Sequence, residues 1–494
     1  TVVPYPSTGT PSAYMLFTND SWYQQIIDLS PTYVAAHPDQ FRQGAVRWNA
    51  YNLPYNFQPN PGSVLILGAG MGNDVAAALR NGAGKVVAVE IDPRILRLGR
   101  NFHFERPYSS DKVTTVLDDA RSYVQNSNQK FDLVVYSLLD SHTTSSHFSN
   151  IRIDNYVYTQ EALAAAKRML KPDGILIVKF QVDTPWIGGR LNGLLEATFG
   201  YTPLQLQSDG FLSPMGPSTP GRFFITGSKQ KLDRMLADPD MQAFVKSHQN
   251  FRMTPARLTT DDWPYFYQHE PGLPFNVIII TILVPLVWWA LQSSTMGTAA
   301  RKPNAHFFFL GAGFMLLESQ IISKMALLFG TTWVVNSIVI TGLLLLVVAS
   351  NLFVERFPDI PYKFAYAGIF ITMAIAFFIP LSKLLFASVA VRAVAATLLL
   401  SLPVFFAGIV FIRSFAQVQF SGHALGSNLL GALVGGVLES LSFWTGLKAL
   451  LIIAGLLYLG SALALRSLGW LPVLNPSESV ELSEVSCGQS QSGT

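Results

Sequence analysis

Three glycines at alternate positions, Gly68-Ala-Gly70-Met-Gly72, follow an apolar run and open a helical one. Glycine there lets the backbone approach a ligand closely, and the helix N-terminus that follows favours polar or anionic groups. Glu90 closes the next apolar run, where a carboxylate can hold two ribose hydroxyls. Asp119-Ala120 follows the third, placed to meet an adenine amino group. Together these features describe a nucleoside site. The competing reading of Glu90 and Asp119, as helix N-caps or solvated strand ends, is the weaker one. After the fourth run comes a polar loop, Asp140-Ser-His142-Thr-Thr-Ser-Ser-His147, where substrate loops sit in doubly wound sheets. Asp140 and His142 could supply a carboxylate–imidazole pair titrating near neutrality, and the competing reading is an exposed loop without chemistry. Two histidines with one acid do not make a metal site, and no metal is expected.

Two further groups of residues lie downstream. Asp261-Asp262-Trp263-Pro-Tyr265-Phe-Tyr267 mixes acid and aromatic side chains, as a cation-binding lid over the site would. The same segment would also serve as a linker with aromatic anchors at a membrane surface. Gly311-Ala-Gly-Phe-Met-Leu-Leu-Glu318-Ser and Gly431-Ala-Leu-Val-Gly-Gly-Val-Leu-Glu439-Ser resemble each other. Carboxylates inside apolar helices are costly, so Glu318 and Glu439 are candidates either for function or for a structural pairing. Gly431 and Gly435 form a GxxxG that permits close helix contact.

The elements that must position these residues are readable from periodicity. Ser63–Leu67, Lys85–Glu90, Val113–Leu117, Phe131–Tyr136 and Gly174–Phe180 are short apolar runs that predict strands. Helices are predicted from Gly72 to Arg80, Pro93 to Asn101 and Thr159 to Leu170, the last stopped by Lys171-Pro-Asp-Gly174. The alternation argues for an α/β, doubly wound Rossmann-like sheet, with Arg222–Thr226 as a late strand at its edge. Residues 1–60 read as turns and short strands, 61–228 as the ligand-binding domain and 229–273 as a polar helix followed by the linker or lid.

Half of the 494 residues are hydrophobic and only 13% are charged, and the apolar excess falls in the second half. About seven runs between 274 and 472 approach the ~20 residues a helix needs to cross a bilayer, so an all-α transmembrane bundle is expected there. The tail over 473–494 is Ser-rich and reads as disordered. A net charge of +3 without a basic run gives no case for nucleic acid. The single cysteine, Cys487, excludes an intramolecular disulfide and a Cys-based zinc site.

The ordered set Val64-Leu-Ile-Leu-Gly-Ala-Gly-Met-Gly72, Val89-Glu-Ile-Asp-Pro93, Asp118-Asp-Ala120, Phe131-Asp-Leu-Val-Val-Tyr136, Tyr158-Thr-Gln-Glu161 and Leu170-Lys-Pro-Asp-Gly174 resembles the spermidine synthases, or polyamine aminopropyltransferases. Their fold is shared with class I S-adenosylmethionine methyltransferases. Tyr23-Gln24 resembles the family's upstream Tyr-Gln pair, and the extension into membrane helices resembles the membrane-bound members of bacteria. The resemblance implies decarboxylated S-adenosylmethionine or S-adenosylmethionine as co-substrate and a small amine as acceptor. It implies Gln24, Gly68, Gly70, Gly72, Glu90, Asp119 and Ala120 as the residues that hold the donor. A homodimer is a candidate assembly. Two positions depart from the family. Its Asp-Ser-Xaa-Asp-Pro loop reads Ser137-Leu-Leu-Asp140-Ser here, so the catalytic base is replaced by Ser137, and Met71 stands where the family has an Asp.

The expectation is therefore an integral protein of a bacterial inner membrane whose soluble domain transfers an aminopropyl group to an amine. A methyltransferase, or a silent ligand sensor coupled to a transporter-like membrane domain, are the alternatives. A cytosolic soluble domain matches where S-adenosyl compounds are made. Seven crossings would then put Arg301, Lys302, Arg356, Lys363, Arg413 and Arg466 outside, against the positive-inside tendency.

Overall fold

A computed structural model describes residues 1–7, 11–18, 20–39, 41, 46–139, 153–182, 184–207, 221–249, 252–295, 303–329, 333–379 and 389–468. Strands β1 (Val2–Tyr5), β2 (Ala13–Thr18) and β3 (Ser21–Ile27) form an antiparallel sheet in which Leu16 sits opposite both Val2 and Gln24. Short helices α1 (Pro31–Ala36) and α2 (Pro54–Phe57) lead into the main domain.

That domain runs β4 (Ser63–Leu67), α3 (Asn73–Arg80), β5 (Lys85–Glu90), α4 (Pro93–Phe102), β6 (Val113–Leu117), α5 (Ala120–Asn126) and β7 (Phe131–Tyr136). It continues through α6 (Gln160–Arg168), β8 (Leu170–Phe180), α7 (Pro185–Phe199), β9 (Leu204–Gln207), β10 (Arg222–Gly227), α8 (Lys229–Met235) and α9 (Pro239–His248). The sheet order is β6-β5-β4-β7-β8-β10-β9, and β10 runs antiparallel to both of its neighbours. Successive residues of β4 are wholly buried because helices cover both faces: Val64 and Ile66 pack on α3, Leu65 and Leu67 on the α5 side. The direction of winding reverses between β4 and β7, which opens a crevice at the carboxyl ends of these strands. This is a doubly wound, Rossmann-like fold.

Three sequence expectations need correction. β8 begins at Leu170, so Lys171-Pro-Asp-Gly174 lies inside the strand; Phe131 pairs with Leu170, and a register shift brings Leu133 to Ile175. β10 is interior rather than at the edge, because β9, which has only four residues, covers it. The polar helix after residue 229 is two helices, α9 starting afresh at Pro239, where the Asp238 side chain accepts from Asp240 and Met241 N–H.

The second half is helical: α10 (Phe275–Thr295), α11 (Ala305–Phe329), α12 (Trp333–Arg356), α13 (Tyr362–Phe378), α14 (Val389–Phe415), α15 (Ser421–Glu439), α16 (Ser442–Thr445) and α17 (Leu447–Leu468). Among the described residues, five segments are long and apolar enough to cross a membrane: Ala305–Phe329, Val339–Arg356, Val394–Phe415, Ser421–Thr445 and Leu447–Leu465. Exposed leucines such as Leu344, Leu398, Leu429 and Leu456 give these helices an apolar outer surface. Such a surface suits lipid and not water. The tail beyond 468 lies outside the described residues.

Candidate functional site

The crevice is lined first by the loop between β4 and α3. Gly68, Gly70 and Gly72 have φ of 74°, 57° and 107°, conformations that L side chains rarely adopt. Space is equally restrictive, since a Cβ on Gly68 would run into Leu139 and one on Gly70 would lie 2.7 Å from Gln24 Oε1. The loop is pinned from both sides. Met71 N–H donates to Gln24 Oε1 at 3.1 Å, and Tyr108 OH donates to the Gly70 carbonyl at 2.7 Å. Asn73 Nδ2 reaches the Gln25 carbonyl at 2.7 Å, so β3 is fastened to the start of α3.

Glu90 ends β5 and is buried. Its Oε2 accepts from Gly70 N–H at 2.8 Å, and its Oε1 accepts from Ile91 and Asp92 N–H at 3.0 and 3.1 Å. Burial raises its pKa, and these backbone bonds only partly offset the effect. Tyr23 stands close enough to feel the charges of Glu90 and Asp92, and burial with those charges pushes its hydroxyl up to about 12. The ribose-binding carboxylate expected from the sequence and the glycine loop are thus one hydrogen-bonded unit.

Asp119 is the N-cap of α5, its Oδ1 accepting from Ser122 N–H at 3.1 Å, and Ala120 is buried behind it. Asp119 therefore has a structural task at the strand end whatever it does for a ligand. Met71 is 1% exposed and packs against Leu16, Ile26 and Ile95, so its side chain belongs to an apolar cluster. Ser137 is buried at the end of β7; its N–H donates to the Leu67 carbonyl at 3.0 Å and its Oγ donates to Asp74 Oδ2 at 2.9 Å. Asp140 and His142 lie outside the described residues.

Asp261, Asp262 and Trp263 connect the two halves of the chain. Asp261 pairs with Arg121 of α5, Asp262 holds the start of α17, and Trp263 Nε1–H donates to the Phe443 carbonyl at 2.9 Å. Glu318 lies within α11 and Glu439 ends α15, two helices packed against each other at Gly431 and Gly435. Sequence reasoning passed over Asp74, Lys179 and Arg121. The available signal was weak: Lys179 is a single cation in the apolar run Ile175–Phe180.

The comparisons bear on this arrangement. Residues 49–192 match the spermine/spermidine synthase domain. Over this segment the chain is similar to spermidine synthases. Polyamine aminopropyltransferase 2 of Hyperthermus butylicus is 29% identical over 142 residues, which are 28% of this chain and 44% of that protein. The polyamine aminopropyltransferase of Thermoplasma volcanium is 33% identical over 91 residues, 18% of this chain and 33% of that protein. The chain thus spans less than half the length of these relatives. Among solved structures, spermidine synthase from Thermotoga maritima is 15% identical with a TM-score of 0.33, covering 56% of this chain and 84% of its own. The matched segment contains the glycine loop, Glu90, Asp119 and Ser137, but not Gln24 or the apolar helices of the second half.

Proposed function

We propose that the α/β domain binds an S-adenosyl sulfonium, with decarboxylated S-adenosylmethionine as donor, and transfers its aminopropyl group to an amine. The observation that carries this reading is the bond from Gly70 N–H to Glu90 Oε2. It sets a carboxylate for ribose hydroxyls against a loop that admits the sulfonium-bearing tail. Gln24 holds the loop, and Asp119 with Ala120 forms the adenine end. In the reaction the amine lone pair attacks the carbon next to sulfur, the C–S bond breaks with its electrons on sulfur, and methylthioadenosine leaves. The new ammonium then loses a proton, for which Asp140 or His142 is the proposed acceptor, since Ser137 is a poor base.

The protein is a membrane protein on this reading, and its α/β domain is assigned to the cytosolic side of a bacterial inner membrane. Incubating the full chain in detergent with each sulfonium donor and an amine mixture tests the chemistry. Methylthioadenosine supports aminopropyl transfer, whereas S-adenosylhomocysteine from S-adenosylmethionine would replace it with methyl transfer. A ligand sensor coupled to the membrane half is the second reading, favoured by the ion pair between Arg121, beside the adenine end, and Asp261 at the junction. Tight donor binding without any product would establish it instead.

A further inference from the structure

Helices α5, α6 and α7 start at the edge of the sheet where its parallel strands end, and contacts toward the helical half hold each of them there. Asp261 holds α5 and α6: its Oδ2 accepts from Arg121 Nη2 at 2.6 Å and its Oδ1 from Thr159 Oγ1 at 2.7 Å. Arg190 holds α7; it is wholly buried and donates to the carbonyls of Arg257 at 2.6 Å and His269 at 2.9 Å. Tyr156, in the turn Ile153–Val157 ahead of α6, is hydrogen-bonded to Ser323 of α11, and α5 packs on the same helix. In a doubly wound sheet the ligand crevice opens along this edge. The edge that carries Glu90, Asp119 and Ser137 therefore faces the helical half.

Asp262 sets the level at which the two halves meet. Its Oδ1 accepts from Lys448 N–H at 2.7 Å, and its carbonyl accepts from Leu447 N–H at 2.8 Å. Leu447 opens one segment long and apolar enough to cross a membrane, and Thr445 closes another. On the membrane reading above, the end of the hydrocarbon lies at these residues. Trp444 and Lys448 are exposed there, as aromatic and basic side chains are at a membrane surface. Adjacent Cα atoms lie about 3.8 Å apart. The headgroup layer outside the hydrocarbon is roughly 5–8 Å deep in each leaflet. Asp261, and with it the starts of α5 and α6, is therefore at headgroup level.

We infer that the acceptor is the primary amine of a membrane lipid headgroup, an aminophospholipid, rather than an amine free in water. The inference rests on the aminopropyl-transfer reading above and names the substrate class of that site. A headgroup amine is confined to the layer on which the crevice opens. Its encounter with a bound donor is close to intramolecular, at an effective concentration on the order of millimolar. In the step, the headgroup ammonium first releases a proton to water. The nitrogen lone pair then bonds to the carbon next to sulfur as the C–S bond breaks with its electrons on sulfur. The products are methylthioadenosine and a lipid whose headgroup nitrogen has become a secondary ammonium bearing the aminopropyl arm. The phosphate ester is untouched.

The test uses the full chain in lipid nanodiscs with decarboxylated S-adenosylmethionine. Phosphatidylethanolamine discs are compared with discs of phosphatidylcholine, whose quaternary nitrogen has no lone pair to give. Putrescine or glycerophosphoethanolamine, the same headgroup without acyl chains, is added to the phosphatidylcholine discs as a soluble acceptor. Methylthioadenosine release and the masses of the extracted lipids are read together. Phosphatidylethanolamine discs should release methylthioadenosine at least about tenfold faster than either soluble acceptor supports. Lipid heavier by one aminopropyl group should accumulate in step. Methylthioadenosine from putrescine, with the phosphatidylethanolamine left unmodified, overturns the lipid acceptor and leaves the transfer reading standing. Equal rates with glycerophosphoethanolamine overturn the preference for a membrane-held amine. Absence of methylthioadenosine with every amine overturns the transfer reading itself, and this inference with it.

Discussion

Asp261 and Asp262 are adjacent in the chain and bond in opposite directions. Asp261 Oδ2 accepts from Arg121 Nη2 at 2.6 Å and its Oδ1 from Thr159 Oγ1 at 2.7 Å, so it grips the starts of α5 and α6. The Asp262 carbonyl accepts from Leu447 N–H at 2.8 Å and its Oδ1 from Lys448 N–H at 2.7 Å, satisfying two donors at the start of α17. Trp263 and Tyr265 complete the joint: Trp263 bonds the Phe443 carbonyl, and the Tyr265 hydroxyl lies 2.5 Å from Ser442 Oγ. One peptide unit therefore joins α5 and α6 of the α/β domain to α17 of the helical half. The segment read from sequence as lid or linker makes its described contacts at this junction.

The two acids should differ in consequence. Asp262→Ala removes a helix-terminal acceptor and should cost about 0.5–2 kcal/mol, in the range of lost N-caps. Asp261→Ala strands a guanidinium whose side chain is 4% exposed and should cost more, on the order of 3 kcal/mol. Thermal unfolding of both variants in detergent measures the order. Equal losses would mean that Arg121 finds another partner.

Glu90 should control donor affinity in a pH-dependent way. Glu90→Ala should weaken binding of an adenosyl sulfonium by about 1.5–3 kcal/mol, the range for hydrogen bonds to a charged group. Because burial raises its pKa above the ordinary 4.5, the ionised form, the one proposed to accept ribose hydroxyls, fills only at higher pH than usual. Wild-type affinity should therefore rise with pH through that raised value, and Glu90→Gln should flatten the rise. Calorimetry across mildly acidic pH reads both effects. Undiminished affinity in folded Glu90→Ala would remove the residue from the site.

How far this was legible depends on how local the determinants are. Strands β4 to β7 were readable to the residue because each is a short, mostly apolar run ended by glycine, by an acid or, for β7, by Ser137. The start of β8 was not, since Lys171-Pro-Asp-Gly174 has the composition of a turn and is held in the sheet by Phe131 across the ladder. Helix α7 was hidden by its own glycines, which look like breakers. They are required by packing: a Cβ on Gly189 would enter the Thr254 backbone, and one on Gly193 would lie 2.8 Å from Leu258. At the site, a strand-end acid such as Glu90 announces itself by position. The Lys179–Asp74 pair joins residues 105 apart, and no spacing rule connects them.

His103 should govern part of the acid stability of the α/β domain. Burial, with the nearby Arg80 charge, lowers its pKa from the usual 6.5 to about 3, and its Nδ1 accepts from Glu105 N–H at 3.1 Å. The folded state keeps the ring neutral over a range in which the unfolded chain binds a proton. Stability is therefore fully present above 6.5 and declines as pH falls from 6.5 toward 3, with a slope of up to one proton. His103→Asn keeps an acceptor for Glu105 and cannot titrate. Denaturant unfolding of this variant should show a shallower loss between those pH values; an unchanged slope would assign the acid sensitivity to other groups.

The tightest helix contact in the membrane half supplies a prediction with an internal control. Helices α11 and α15 meet backbone to backbone: a Cβ on Gly431 would enter the Phe308 carbonyl, and one on Gly435 would lie 2.6 Å from the Ala312 carbonyl. Gly311 faces the Asn428 backbone in the same way, and Asn428 Nδ2 donates to the Phe307 carbonyl at 3.1 Å. Such contacts tolerate no side chain, and the dispersion and hydrogen bonds they permit hold helices together where lipid removes the hydrophobic drive. Gly436, next in sequence to Gly435, faces open space. Gly431→Ala should therefore destabilise the protein by about 1–3 kcal/mol through overpacking. Gly436→Ala should be neutral or stabilising by up to about 1 kcal/mol, the ordinary helix preference of alanine over glycine. Thermal unfolding of the two variants in the same detergent reads the contrast. If both behave alike, the close approach of α11 and α15 does not set the stability of this half.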